Sequence, residues 1–259
     1  MQTLVEKLNV LSEFGVIKTD IPDFVVQNLR EGVQLREYQT EALARFRYYL
    51  EEYKDRAFPS HLLFHMATGS GKTLLMASNI IYLYKMGYRN FVFLVNSTNI
   101  IEKTKTNFLD KNSSKFLFAE KIVIGGIEVK VTEVDNFEAV NGDHINIHFT
   151  TIQGLHSRLN NPQENAVTYE DFERMKVVFL SDEAHHINTL TKNSAQMSKG
   201  EIEESTSWER TVQKVLRAHP QNVMLEYTAT IELSHKAVSE KYADKIIYQY
   251  SLREFREDG

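Results

Sequence analysis

The chain has 259 residues, 42% hydrophobic and 25% charged, a balance that fits one large globular α/β domain with an appendage. It contains no cysteine, which excludes a disulfide framework and any thiolate metal site. The formal net charge of −5 excludes a simple cationic wrapper of nucleic acid, so contact with DNA has to be local, through backbone amides and a few side chains. No apolar run is long enough to cross a bilayer, and the segment 1–11, which carries Glu6 and Lys7, does not read as a secretory signal. A cytoplasmic protein without membrane contact is the expectation.

Residues 1–34 are expected to form a short helical N-terminal extension. Leu4, Leu8 and Leu11 recur at helical spacing and Pro22 breaks the segment, which carries no motif and reads as a packing appendage. The main domain is expected over 35–259. Its first helix is predicted over Glu37–Tyr53, where Leu43, Phe46, Leu50 and Tyr53 mark one buried face. Leu62–His65 is a short apolar strand that runs into Thr68-Gly69-Ser70-Gly71, and a helix follows over Lys72–Lys85. Phe91–Val95 is another strand, with a helical segment near Ile100–Leu109 after it. Lys121–Val134 alternates β-branched residues around Gly125-Gly126 and predicts a hairpin. Ile145–Thr150, Val177–Leu180, Asn222–Tyr227 and Lys245–Tyr250 complete the strands, and Trp208–Arg217 is the clearest later helix. The polar stretch 188–207 reads as a mobile loop. Strands apolar on both faces, alternating with helices, predict a parallel sheet covered on both sides.

The strongest local signal is Thr68-Gly69-Ser70-Gly71-Lys72-Thr73, set between a strand and a helix. Its glycines let the backbone turn tightly and aim N–H groups at a phosphate chain, and the helix start adds partial positive charge. Lys72 is placed to reach the β- and γ-phosphates, and Thr73 to ligate Mg²⁺. A strict P-loop pattern asks for glycine five residues before Gly71, where this chain has Met66. A chance glycine-rich turn is the bland alternative, and the strand–loop–helix context weighs against it.

The apolar run Val177–Leu180 leads through Ser181 into Asp182-Glu183-Ala184-His185. Two carboxylates at the carboxyl end of a strand fit nucleotide hydrolysis: Asp182 suits the metal and Glu183 suits activation of the attacking water. Ligands of open α/β sheets sit at that edge, beside the glycine-rich loop. A metal site through His185 and His186 is disfavoured because adjacent residues point apart and no His-Glu-x-x-His spacing is present. A solvated acidic turn would leave the hydrophobic strand unexplained.

These residues resemble the first lobe of superfamily 2 helicases. The 68–73 loop is similar to motif I, and Asp182-Glu183-Ala184-His185 to motif II. Leu35-Arg36-Glu37-Tyr38-Gln39 resembles the segment whose glutamine meets the adenine edge; an amide suits that task because it offers a donor and an acceptor together. Val95-Asn96-Ser97-Thr98-Asn99 resembles motif Ia, Thr150-Thr151-Ile152-Gln153 the following single-strand contact, and Thr228-Ala229-Thr230 motif III. Ser97, Thr98 and Thr151 also suit plain helix N-caps, a reading that stays open beside the DNA one. The phrasing around 96–104, 179–188 and 248–259 is most similar to the motor-nuclease (Res) subunit of type III restriction enzymes.

The resemblance implies a P-loop NTPase of RecA-like fold that uses ATP and Mg²⁺. It assigns phosphate binding to Thr68, Gly69, Ser70, Gly71, Lys72 and Thr73, adenine to Gln39, metal to Thr73 and Asp182, and catalysis to Glu183 and Lys72. His185, Thr228 and Thr230 would couple the sites, and Ser97, Thr98 and Thr151 would touch DNA. The implied partners are DNA, a methyltransferase/specificity subunit and a second RecA-like lobe. Neither the second-lobe arginine motif nor a nuclease constellation occurs in the 259 residues, so they read as one lobe of a longer endonuclease, weakly active alone. A type I restriction motor or another superfamily 2 translocase, a non-motor nucleotide-dependent module and, last, a metabolite kinase are the competing readings.

Overall fold

The computed structural model describes residues 2–138, 140–161, 164–182, 199–231 and 233–258. The apolar runs become strands β1 (Ser60–Met66), β2 (Asn90–Val95), β3 (Ile122–Ile124), β4 (Ile127–Val129), β5 (Val131–Glu133), β6 (Ile145–Thr151), β7 (Val177–Asp182), β8 (Val223–Thr228) and β9 (Ile246–Tyr250). Seven of them form one sheet in the order β5-β6-β2-β7-β8-β1-β9, with every neighbouring pair parallel. β2 and β8 are buried along their whole length, as a sheet covered on both faces requires.

The helices are α1 (Leu4–Glu13), α2 (Asp23–Val26), α3 (Glu37–Glu51), α4 (Lys72–Lys85), α5 (Thr98–Phe108), α6 (Ile152–Asn160), α7 (Tyr169–Arg174), α8 (Lys199–Arg217), α9 (Lys236–Tyr242) and α10 (Leu252–Glu257). Side chains alternate across the sheet, so Phe91, Phe93 and Val95 face a core shared with α3, α4 and α5, whereas Val92 and Leu94 face one shared with α6, α7 and α8. In α4 every residue from Leu75 to Tyr84 is buried. A helix apolar on all sides has to be enclosed, and α4 lies between the sheet and the outer helices α2 and α3. The predicted parallel sheet with helices on both faces is the observed architecture.

Two expectations are corrected. Residues 188–207 were expected to be a loop; 188–198 lie outside the described residues, and 199–207 are the first half of α8. Thr211, Val212, Val215 and Leu216 are buried in its later turns, and the segment 199–207, with Ile202 as its one large apolar residue, lacks the apolar periodicity that marks a helix in sequence. The predicted hairpin is present as β3 and β4, turning through Gly125 (φ 64°) and Gly126 (φ 82°). Its last part is not hairpin: Val131–Glu133 leaves it and pairs in parallel with β6 at the sheet edge.

The first helix packs into the body of the protein. Leu4 and Leu8 are buried in the main core. Arg45 of α3, 6% exposed, donates to Asn9 Oδ1 of α1 at 2.6 Å, pairs with Glu41 at 2.5 Å and lies 5.1 Å from the Tyr248 ring of β9. A buried guanidinium needs every one of these partners, so this charge ties α1, α3 and β9 together.

Candidate nucleotide and nucleic-acid site

β1 ends at Met66, whose side chain is fully buried in the core. The position where the strict P-loop pattern asks for glycine therefore belongs to the strand, and the turn itself runs from Ala67 to Gly71. Gly69 (φ 85°) and Gly71 (φ 75°) are left-handed, and Gly71 is the N-cap of α4. A Cβ on Gly71 would also run into the Gln39 amide nitrogen, so glycine is required there for two reasons.

The loop is held from α3. The Ser70 carbonyl accepts from the Tyr38 hydroxyl at 3.1 Å and from Gln39 Nε2 at 2.9 Å; the same nitrogen lies 3.3 Å from the Gly71 carbonyl. Gln39 Oε1 accepts from the Arg36 N–H at 2.9 Å and so closes the first turn of α3. Gln39 is thus 3% exposed, with its donors directed into the loop. Lys72, the first residue of α4, donates to the Met66 and Ala67 carbonyls, both at 3.3 Å. Thr73 follows it, half-buried, while Thr68, Gly69 and Gly71 are exposed. Ser70 is fully buried, and its hydroxyl finds no hydrogen-bond partner among the described residues.

Asp182 ends β7 and pairs in register with Tyr227 of β8, which in turn lies beside β1. Two strand spacings put Asp182 about 10 Å from Phe64, two residues before the end of β1. Tyr227 is fully buried; its hydroxyl accepts from Asn79 Nδ2 of α4 at 2.7 Å and its ring stacks on Phe64 at 4.9 Å. Burial pushes the Tyr227 hydroxyl pKa up, the Asn79 hydrogen bond opposes that, and the Asp182 charge adds to it. The Thr228 hydroxyl donates to the Thr230 carbonyl and accepts from its N–H, both at 3.2 Å, which folds the segment after β8 into a small turn. His65 of β1 pairs with Thr228, and its ring hydrogen-bonds to the Ala229 backbone. Burial lowers the His65 pKa, and nearby Lys72 lowers it further against the effect of that hydrogen bond. Glu183 and His185 lie outside the described residues.

The DNA candidates line the same carboxyl edge on its other half. Ser97, after β2, is the N-cap of α5 but makes no side-chain cap hydrogen bond among the described residues; Thr98 is exposed. Thr151, at the end of β6, is an N-cap whose hydroxyl accepts from the Gly154 N–H at 3.0 Å. A Cβ on Gly154 would come within 2.9 Å of the Thr150 hydroxyl, so glycine lets this first turn close. Sequence reasoning missed Tyr38 and His65, and the paired glycines give no sign of either.

A parallel α/β domain with a P-loop-type turn at its carboxyl edge is the class that fold and loop define. The family described as "Type III restriction enzyme, res subunit" matches residues 32–233. The chain is 40% identical over 261 aligned positions to the probable type III restriction-modification enzyme HindVIP Res subunit of Haemophilus influenzae, covering 92% of this chain and 50% of that protein. The chain belongs to the type III restriction enzyme Res family and spans about half the length of this relative. Solved structures similar to it include the UvsW helicase from bacteriophage T4, at 12% identity and TM-score 0.49, covering 95% of this chain and 78% of that one. The ATP-dependent type ISP restriction-modification enzyme LlaBIII bound to DNA matches at 16% identity and TM-score 0.47, covering 87% and 16%. Among the described residues, no helix is long and apolar enough to cross a membrane.

Proposed function

We propose that this chain is the first motor lobe of a Res subunit, binding and hydrolysing Mg·ATP to drive translocation or switching on DNA before cleavage by another part of a longer protein. The observation that carries the reading is the loop 67–71, locked by Tyr38 and Gln39, with Lys72 at the start of α4 and Asp182 two strands away.

Amides of Gly69 to Thr73 and the Lys72 ammonium hold the phosphates, and binding draws Lys72 from the Met66 and Ala67 carbonyls. The Thr73 hydroxyl and the Asp182 carboxylate hold the cation, which when bound offsets phosphate charge as it develops. Glu183 takes the proton of the attacking water. Gln39 keeps its brace on the loop and offers the second lone pair of Oε1 to the amino group of adenine. Thr228 and Thr230, with His185, relay the state of this half to the half with Ser97, Thr98 and Thr151, whose hydroxyls and helix starts meet DNA phosphates. The second RecA-like lobe and the methyltransferase/specificity subunit complete the assembly in the cytoplasm.

Calorimetric titration with Mg·ATP and Mg·GTP tests this. The protein should bind ATP in preference to GTP, Lys72→Ala should lose binding, and Glu183→Gln should bind but turn over about 10²–10⁴-fold more slowly. In Gln39→Ala the ATP preference should disappear. An equal loss for both nucleotides would leave Gln39 as a brace alone, and a wild-type protein blind to both would remove the proposal.

A further inference from the structure

The Ser70 carbonyl takes two hydrogen bonds from one side, from Tyr38 and Gln39. The Ser70–Gly71 peptide is trans, so its N–H points opposite to its carbonyl. With the oxygen turned toward α3, the Gly71 N–H is turned away from α3, toward the open side of the loop. Rotating this peptide means breaking both bonds. Tyr38 therefore fixes the direction of an N–H in the phosphate cradle although it never faces that cradle.

Tyr38 belongs to a longer aromatic row. It is 7% exposed and stacks on Tyr250, the last residue of β9, with ring centroids 4.1 Å apart and planes 14° apart. The Phe255 ring of α10 meets Tyr250 edge-on at 6.3 Å. Phe255 also closes on the loop itself: a Cβ on Gly69 would lie 3.5 Å from its ring. α10 is pinned at both ends. Ser251 caps its start, with its hydroxyl accepting from the Glu254 N–H at 3.2 Å and its own N–H donating to the Glu254 carboxylate at 2.6 Å. Near its end, the Tyr250 hydroxyl donates to Asp258 at 2.6 Å. Two points of the loop, the Ser70 carbonyl and Gly69, are thus touched by opposite ends of one aromatic row.

We propose that Tyr38, Tyr250 and Phe255 form an aromatic strut that positions the phosphate loop and transmits its occupancy to α10, the segment by which the chain leaves β9. This rests on the reading that the loop binds a triphosphate. Tyr38 and Phe255 act through the loop backbone and are positioning residues. Because binding and positioning are linked, a ring that improves the affinity for nucleotide must itself be ordered by nucleotide.

The test uses Mg·ATPγS, titrated by calorimetry against wild type, Tyr38→Phe, Phe255→Ala and Phe255→Tyr, with hydrogen exchange of residues 251–258 followed with and without nucleotide. Tyr38→Phe removes one neutral hydrogen bond and should weaken binding about two- to tenfold. Phe255→Ala should weaken it by a similar factor at temperatures well below the melting point of the nucleotide-free variant, which is measured alongside because the ring also packs on Tyr250. Phe255→Tyr keeps the ring and should restore wild-type affinity. Nucleotide should slow exchange across 251–258 in wild type and Phe255→Tyr, and leave it unchanged in Phe255→Ala. Wild-type affinity in Phe255→Ala, or exchange at 251–258 indifferent to nucleotide in a wild type that binds it, would overturn the strut and leave the nucleotide site standing. A wild type that does not bind ATPγS would take the nucleotide reading down first, and the strut with it.

Discussion

Two halves of one sheet edge are built on different rules. After β1, the turn is braced from outside: Tyr38 and Gln39 hold the Ser70 carbonyl and Phe255 lies against Gly69. After β2 and β6 the turns depend on their own first residues, Thr151 capping α6 and Ser97 making no side-chain cap bond to α5. The braced half presents a fixed backbone, which suits a ligand of one shape. The other half offers hydroxyls and helix starts held only by local contacts of their own turns, as the Thr151 cap is, which suits a polymer whose phosphates pass in many registers.

The comparison is broken most severely at Gly71. Gly71→Ala adds a Cβ to a left-handed residue facing the Gln39 amide, at a cost of about 1–3 kcal/mol for the backbone strain alone. Nucleotide binding measured by calorimetry should be lost, while the melting temperature falls by several degrees. An alanine variant that binds normally would show that the loop is not rigid.

Acid should strike both halves. His65 sits on the β1 side and His148 on β6, and burial lowers the pKa of each. The His148 ring lies between the Val134 carbonyl at 3.0 Å and the Arg158 guanidinium at 3.2 Å, an arrangement that wants a neutral imidazole. Below about pH 6.5 the unfolded chain takes up protons that the folded rings refuse, so stability falls as pH falls. The slope reaches about 1.4 kcal/mol per pH unit for each histidine, and fades below the folded pKa values. Denaturant melts between pH 7.5 and 5.5 should show this drop, and His148→Gln should make it shallower. A flat profile would mean that neither ring resists protonation.

Smaller effects separate capping from contact. Thr151→Val removes a working cap and should cost about 1 kcal/mol, a shift of roughly 2–4 °C in melting temperature. Ser97→Ala removes no cap bond and should leave melting unchanged, while lowering DNA stimulation of ATP hydrolysis. If Ser97→Ala melts earlier and keeps its stimulation, Ser97 is a structural residue and not a DNA contact.

What sequence showed and hid follows from range. The strands were legible because their apolar runs are local, and the loop 68–73 because its glycines, lysine and threonine are contiguous. Asp182 could be read for the same reason, at the end of Val177–Leu180. Met66 looked like a defect in a pattern and is the buried end of a strand. The bracing of the loop was hidden because Tyr38, Tyr250 and Phe255 meet across more than two hundred positions, and no periodicity links them. The first turns of α8 were hidden because 199–207 has one large apolar residue, Ile202, and so no helical periodicity to read. The edge strand β5 looked like part of a hairpin because three alternating residues fit either partner.

The knot at Arg45 sets a limit on protein engineering. Its guanidinium is shared among Asn9, Glu41 and Tyr248, and Leu4 and Leu8 fill the same core. A version trimmed to begin near Leu35 would keep the cation and lose one of its acceptors along with the apolar lid above it. Whoever wants a smaller version of this scaffold should carry α1 along, or replace Arg45 and its remaining partner Glu41 together by uncharged residues of matching volume.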